Sequence, residues 1–358
     1  MLQWVRCSLL VLSAVLLLAT SSPALAQPKP EYAPSATHTF PAGGRRGTTI
    51  ALRVGAECLP PGAEFHVFGD GVTAPELLGE RVDVAGEPSA PRRPTEIPAT
   101  YPKEWASEVT IADDAPLGFL WWRLSCGQGG TRPRPFVIGD LPEFIEHESN
   151  SRPEHAETMS VPVTLNGQIN GERDVDYYRF AAEAGSVVSC EVMASRLGSR
   201  LDPVVDLLDL HGHPVAVDQV TIGSDPVLVV RSEQSMEYLL RIANLTHHGD
   251  PSYVYRINLV ARPWLAAAYP DGGQAGTESD VELLVVTGDG APQTVHRTLR
   301  FPESVPVGRF LFEDHESFAN ALTLRVDDRA HVTEQEPNPD AEHATRVIVP
   351  VTVHGRFL

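Results

Sequence analysis

The first feature of this 358-residue chain that could do chemistry is a set of oxygen-bearing side chains at regular spacing. Glu146, Glu148 and Asn150 stand at i, i+2 and i+4, and on an extended segment all three point to one side. Asp174 and Asp176 share that spacing just ahead of the alternating run Tyr177-Tyr178-Arg179-Phe180. If the two segments lie side by side, five oxygen ligands converge. Calcium takes about six to eight oxygens, with backbone carbonyls or water completing the shell. Carboxylates gathered this closely repel one another unless a cation sits among them. The residues alone leave two readings open: a calcium site, or acids that solvate a linker and cap a turn.

Other chemistry has less support. The patterns G-x-S-x-G, H-E-x-x-H and the phosphate loop are missing. His211 and His213 flank Gly212, and His247-His248 precede Gly249-Asp250; both pairs read as solvated turns, because no third ligand is near in sequence. Phe119, Trp121 and Trp122 form the densest aromatic cluster. Strand alternation buries one of the two tryptophans and exposes the other, either as edge packing or as a platform for a carbohydrate or a partner. No enzyme activity is expected.

The positioning elements begin after an export signal. Arg6 supplies a positive n-region, Leu9 to Ala19 is an apolar run too short to span a membrane, and Ala24-Leu25-Ala26 is a cleavage site. Residues 1–26 are therefore read as a signal peptide, with the mature chain starting at Gln27. The net charge of −19 argues against nucleic acid, whose phosphates an acidic surface repels. No later stretch is apolar and long enough to cross a bilayer. In an oxidising compartment Cys58 and Cys126 are candidates for a disulfide, which spacing alone does not fix. Cys190, on one face with Val188 and Val192, reads as a small core residue. With 31 prolines and 28 glycines, and turns every eight to twelve residues or so, the chain reads as many short strands.

The chain also repeats itself. Glu148-Ser149-Asn150, Glu154-His155-Ala156, Val161-Pro162-Val163-Thr164 and Gly167 recur as Glu336-Pro337-Asn338, Glu342-His343-Ala344, Val349-Pro350-Val351-Thr352 and Gly355, at a constant offset of 188. Phe40-Pro41-Ala42-Gly43-Gly44 through Thr48 recurs as Tyr269-Pro270-Asp271-Gly272-Gly273 through Thr277, at an offset of 229. Pro116-Leu117-Gly118 matches Pro306-Val307-Gly308. The order is A-B-A′-B′, and the first copy carries 41 extra residues, assigned to an inserted Pro- and Ala-rich loop near 84–103. Unit B′ reaches Leu358 after a strand or two. One strand cannot bury a sandwich core, so the chain reads as a fragment, with a loosely packed tail as the alternative.

Unit B resembles the bacterial pre-peptidase C-terminal domain. The matching residues are Glu146-His147-Glu148-Ser149-Asn150, Gly167-Gln168-Ile169, Asp174-Val175-Asp176-Tyr177-Tyr178-Arg179-Phe180, Ser199-Arg200-Leu201-Asp202-Pro203, the turn at Leu210-His211-Gly212, Tyr238 to Ile242, and Tyr253 to Ile257. Units A and A′ resemble, on their Pro-x-Gly-Gly openings, Ig-like domains that alternate with such modules. The resemblance implies a jelly-roll-like sandwich for B, an accessory role beside secreted proteases, and calcium at the Glu-x-Glu-x-Asn segment and the acidic pair. Ser151 departs from the pattern, which has a further Asn or Asp there. Glu334, Glu336 and Asn338 repeat the first segment, with the positions of the partner aspartates beyond Leu358.

The expected fold is all-β: tandem antiparallel β-sandwiches, Ig-like over 27–142, pre-peptidase C-terminal-like over 143–261, a shorter Ig-like domain over 262–331, and the start of a second pre-peptidase C-terminal-like domain over 332–358. The expected function is a non-catalytic secreted scaffold, adhesion or binding module for an extracellular protein or polymer, in the periplasm, on the cell surface or in the medium. The alternative is the N-terminal accessory region of a larger secreted peptidase.

Overall fold

The structure, a computed structural model, describes residues 33–82, 102–127, 129–304 and 308–356. The signal segment, most of the 84–103 loop and Pro306-Val307 lie outside them. From Pro34 onward the chain forms one compact unit.

The described residues are all-β, in tandem sandwiches. The first holds β1 (Ser35–Phe40), β2 (Gly43–Arg45), β3 (Thr49–Glu57), β4 (Glu64–Phe68), β5 (Val72–Thr73), β6 (Arg81–Val82), β7 (Lys103–Ile111), β8 (Gly118–Cys126), β9 (Gly129–Gly130) and β10 (Arg134–Gly139). One sheet runs β1-β3-β7-β5 with β6 also on β7; the other runs β2-β10-β8-β4 with β9 on β8. Strand β8 shows why. Leu120, Trp122 and Leu124 point inward and are buried, while Phe119, Trp121 and Arg123 alternate outward. Trp122 is the buried tryptophan, edge-on to Phe65, and Trp121 is the exposed one, paired across the strand with Phe68.

The second sandwich holds β11 (Glu143–Ile145), β12 (Glu157–Met159), β13 (Val163–Gln168), β14 (Val175–Ala182), β15 (Val187–Met193), β16 (Pro203–Leu208), β17 (Asp218–Ile222), β18 (Asp225–Arg231), β19 (Met236–Asn244) and β20 (Val254–Val260). A six-stranded sheet, β11-β13-β20-β15-β18-β17, faces a four-stranded one, β12-β14-β19-β16. Leu165, Val192 and Ile257 from the first meet Tyr178, Phe180 and Leu240 from the second in one core, which Cys190 joins. Each such side chain contributes roughly 1.5–3 kcal/mol on burial.

The third region holds β21 (Trp264–Tyr269), β22 (Gly272–Gln274), β23 (Glu278–Val286), β24 (Gln293–Arg300), β25 (Arg309–Phe312) and β26 (Leu322–Asp327), followed by the parallel pair β27 (Ala330–Thr333) and β28 (Val351–His354). Sheets β21-β23-β24 and β22-β26-β25 close over Leu283, Phe301 and Leu324.

The sequence repeat is a repeat of register. Strand β1 bulges between Ala36 and His38 against β3, and β21 bulges between Leu265 and Ala267 against β23, at the 229 offset. Glu143 faces Thr164 in β11–β13, and His331 faces Thr352 in β27–β28, at the 188 offset. The extra residues of the first copy enter between β3 and β7. Their described part builds β4, β5 and β6, so the insertion adds edge strands as well as the 84–103 stretch.

Adjacent sandwiches are joined by apolar and polar contacts. Phe40, Val137, Met193, Leu197 and Val254 form a small core between the first two, and Val227, Val229, Trp264 and Val286 one between the next two. Glu104, fully buried, accepts from His38 Nε2 at 2.7 Å and is ion-paired with Arg53 at 2.9 Å, and Arg53 donates to Gln168 of the second sandwich at 3.0 Å. Thr37, His38 and Glu104 are in the order of a hydroxyl–base–acid triad. Sealed between sheets, they have no access for a substrate and act as a joint.

Candidate cation site

The site sits where β11 hands the chain across the sandwich to β12. Glu146 N donates to Asn166 O, and Tyr177 N donates to Asn150 O, so the 146–150 segment is tied to β13 on one side and to β14 on the other. Asp174 precedes β14 and Asp176 lies in it, with Tyr178 on the same face. Tyr255 on β20 reaches the same place because its register partner is Gly167, where a Cβ would overlap the tyrosine ring.

All five residues expected from sequence meet here, in two tiers. Glu148, Asp174 and Asp176 bring carboxylate oxygens within 4.8 Å of one another. Glu146 turns inward instead, accepting from Gln168 N at 2.5 Å, Tyr178 OH at 2.7 Å and Tyr255 OH at 3.2 Å. Tyr255 also donates to Asp176 at 2.5 Å and lies 2.7 Å from Tyr178 OH. Asn150 donates from Nδ2 to Tyr178 OH at 3.2 Å. Its Oδ1, and Oδ1 of Asp176, are buried without a hydrogen-bond partner. Ser151, at the position that departs from the family pattern, donates to Asp174 at 3.3 Å.

Burial and mutual repulsion dominate the electrostatics. Burial, helped by the charge of Glu148, raises the Glu146 carboxyl to about 8 against the tyrosine hydrogen bonds. Burial and then the charges of Asp174 and Glu157 raise Glu148 to about 7. Asp176 is raised well above the ordinary range by burial, then by Glu146 and Asp174. An uncompensated buried acceptor costs about 1–3 kcal/mol, and more when charged. Three converging carboxylates, one of them with a buried oxygen that has no hydrogen-bond partner, are a donor set suited to a hard cation. Glu148, Asp174, Asp176 and Asn150 Oδ1 would supply its ligands, with Glu146 holding the tyrosines behind them.

Sequence reasoning missed Tyr178 and Tyr255 as site residues. The spacing Asp176-x-Tyr178 held the signal for the first, since both must share a face. Nothing local signals the second, which comes from a strand about 80 residues later by way of sheet pairing. In the repeat, Glu334 accepts from Arg356 N, as Glu146 accepts from Gln168 N, and from Asn338 at 3.2 Å; among the described residues it joins no carboxylate cluster. The structure holds Cys58 and Cys126 as thiols, with Cys126 donating to Gly129 O, so the expected disulfide is not formed in it.

Fold and site together define a multidomain all-β protein of tandem β-sandwiches carrying a carboxylate cluster. No helix among the described residues is long and apolar enough to cross a membrane. No protein-family pattern and no curated protein matches the chain. Among solved structures it is similar to SGBP-B of the Bacteroides ovatus mixed-linkage glucan utilization locus, in complex with a mixed-linkage heptasaccharide, at 9% identity over 61% of this chain and 72% of that one, TM-score 0.18. Domains 5–6 of the S-layer protein SbsC match at 9% identity over 75% and 99%, TM-score 0.18. Trypsin-activated alpha-2-macroglobulin from Escherichia coli matches at 11% identity over 88% and 25%, TM-score 0.22.

Proposed function

We propose that this chain is an exported, non-catalytic scaffold or adhesion module, ordered A-B-A′-B′, whose second sandwich is of the pre-peptidase C-terminal type and is stabilised by calcium. The observation that carries this reading is the cluster of the Glu148, Asp174 and Asp176 carboxylates, in which Asp176 Oδ1 is buried without a hydrogen-bond partner, as is Asn150 Oδ1 on the adjoining segment. A cation there would relieve the repulsion that raises these groups and would tie the 146–150 segment to β14. The joints at Glu104 and at the Phe40–Val254 core support a spacing role, because they hold neighbouring sandwiches in one orientation.

Calcium at a hundred times its dissociation constant should stabilise the fold by about 2.7 kcal/mol, or about 10 °C in the melting of the second sandwich. The variant Asp174→Asn with Asp176→Asn should melt at one temperature with calcium or chelator. Wild-type melting curves that superimpose with and without calcium would remove the site.

A further inference from the structure

The third region and the β27–β28 pair meet through a line of four side chains. Asp327, at the end of β26, lies 3.3 Å from His331 Nε2. His331 Nδ1 lies 2.8 Å from His354 Nε2. His354 Nδ1 lies 2.7 Å from Asp271, in the turn between β21 and β22. His354 is buried, and the His331 side chain is 9% exposed.

Counting protons shows what this line requires. It has three contacts, and each needs one hydrogen. Its two ends are carboxylates, which only accept. Two neutral imidazoles carry one N–H each, so one contact would set lone pair against lone pair. Two imidazolium rings carry four hydrogens and set N–H against N–H in the middle. Only a pair with three hydrogens, and so one net positive charge, satisfies all three contacts.

The repeat offers an independent comparison. His331 and His354 occupy the positions of Glu143 and Asn166 in the first copy, in the same strand register. There the buried cation is Arg256, which bonds Glu143 at 2.8 Å and Asn166 at 2.7 Å. An arginine keeps its charge at any physiological pH. In the second copy the side chains between Asp271 and Asp327 are imidazoles, which carry a positive charge only when protonated on both ring nitrogens. We infer that β27–β28 is latched to the third region by one proton shared within the His331–His354 pair, and that the latch loosens as the pH rises and this proton leaves.

The other charged groups at the joint are matched. Arg356 pairs with Glu282 at 2.7 Å and lies over the Tyr269 ring, Glu334 accepts from Arg356 N and Asn338, and Arg329 lies 3.9 Å from Asp327. Tyr269 OH donates to His354 O at 3.3 Å, and Thr352 donates to Asp327 at 3.0 Å. Among the described residues β27 pairs only with β28, and these contacts are what anchor the pair to the third region. A metal ion bridging the two inner nitrogens is less suited, because no third His, Cys or carboxylate ligand joins them among the described residues.

Hydrogen exchange on the full chain tests the latch, read as protection factors so that the intrinsic pH dependence divides out. Protection of the β27–β28 amides should fall about tenfold from pH 6 to pH 8. Asp271→Asn supplies the missing hydrogen from its amide, so its protection should change less than about twofold over the same range. Nitrogen-15 spectra of the wild-type rings, which need no substitution, should count three ring N–H groups at pH 6 and two at pH 8. Equal losses in both proteins, no loss in the wild type, or two ring N–H groups at both pH values would overturn the inference. So would recovery of pH 8 protection on adding micromolar Zn²⁺, which would make the pair a metal site.

Discussion

Moving the chelator-treated protein from pH 6 to pH 8 should destabilise the second sandwich, and calcium should largely abolish that loss. In the unfolded chain Glu146 ionises near its ordinary value of 4.5; in the fold it ionises near 8. Between those values the folded state holds a proton that the unfolded state has released. Stability from this group is therefore fully present below about 4.5 and is lost as the pH climbs through 8. From pH 6 to 8, Glu146 alone costs about 2 kcal/mol, or roughly 10 °C in melting temperature. Asp176 adds in the same direction. Glu148 adds less than its value of about 7 suggests, because its side chain is exposed and water screens it. Bound calcium keeps these carboxylates ionised at both pH values, so binding at pH 7 should release about one to two protons per ion. Titration calorimetry in buffers of different ionisation enthalpy counts them, and thermal melts in chelator give the pH slope. A chelated protein whose melting temperature holds or rises between pH 6 and 8, or calcium binding without proton release, would refute the reasoning.

Two further outcomes concern the first sandwich. Trp122→Ala should cost about 3–5 kcal/mol in denaturant unfolding, because it empties a buried site against Phe65 and removes the Nε1 bond to Pro135 O, whereas Trp121→Ala should cost under about 0.5 kcal/mol; equal losses would contradict the facing of β8. Cys190 should stay silent to a thiol reagent until the protein is denatured, because it is buried and burial raises its pKa, whereas Cys58 and Cys126, thiols in the structure, should react in the folded protein; a Cys190 that reacts in the folded protein would contradict its place in the core.

Much of the architecture was legible in the sequence because alternation is local. The faces of β8, β14 and β20 follow from their own residues, and two offsets, 188 and 229, carry strand register from one copy to the next. The acids of the cluster were legible for the same reason: Glu148, Asp174 and Asp176 share period-two spacing on segments that pair with one sandwich. What the sequence hid depends on which strands become neighbours. Glu146 turns inward because Tyr255 arrives from β20 over Gly167, and the Glu104 joint collects His38, Arg53 and Gln168 from three strands. Whether Cys58 and Cys126 pair lay beyond spacing altogether, since they sit at the ends of β3 and β8, whose relative placement alternation does not give.

The buried acids of this chain explain why its parts should answer differently to conditions. A protein with a net charge of −19 that buries carboxylates must offset each group of them with something positive. At the first joint that is Arg53 against Glu104 and Arg256 against Glu143, which neither pH nor a chelator removes. At the candidate site no Lys or Arg reaches Glu148, Asp174 or Asp176 within ion-pair distance among the described residues, so the offset is left to protons or to a cation. At the last joint, where Asp271 is exposed and Asp327 partly so, the buried histidine pair itself carries the proton. Chelation at neutral pH should then act on the second sandwich and leave β27–β28 latched. Calcium at alkaline pH should do the reverse, holding the second sandwich while the last joint loosens. The two perturbations are separable in one protein because the same strand register, used twice, places an arginine at one joint and imidazoles at the other.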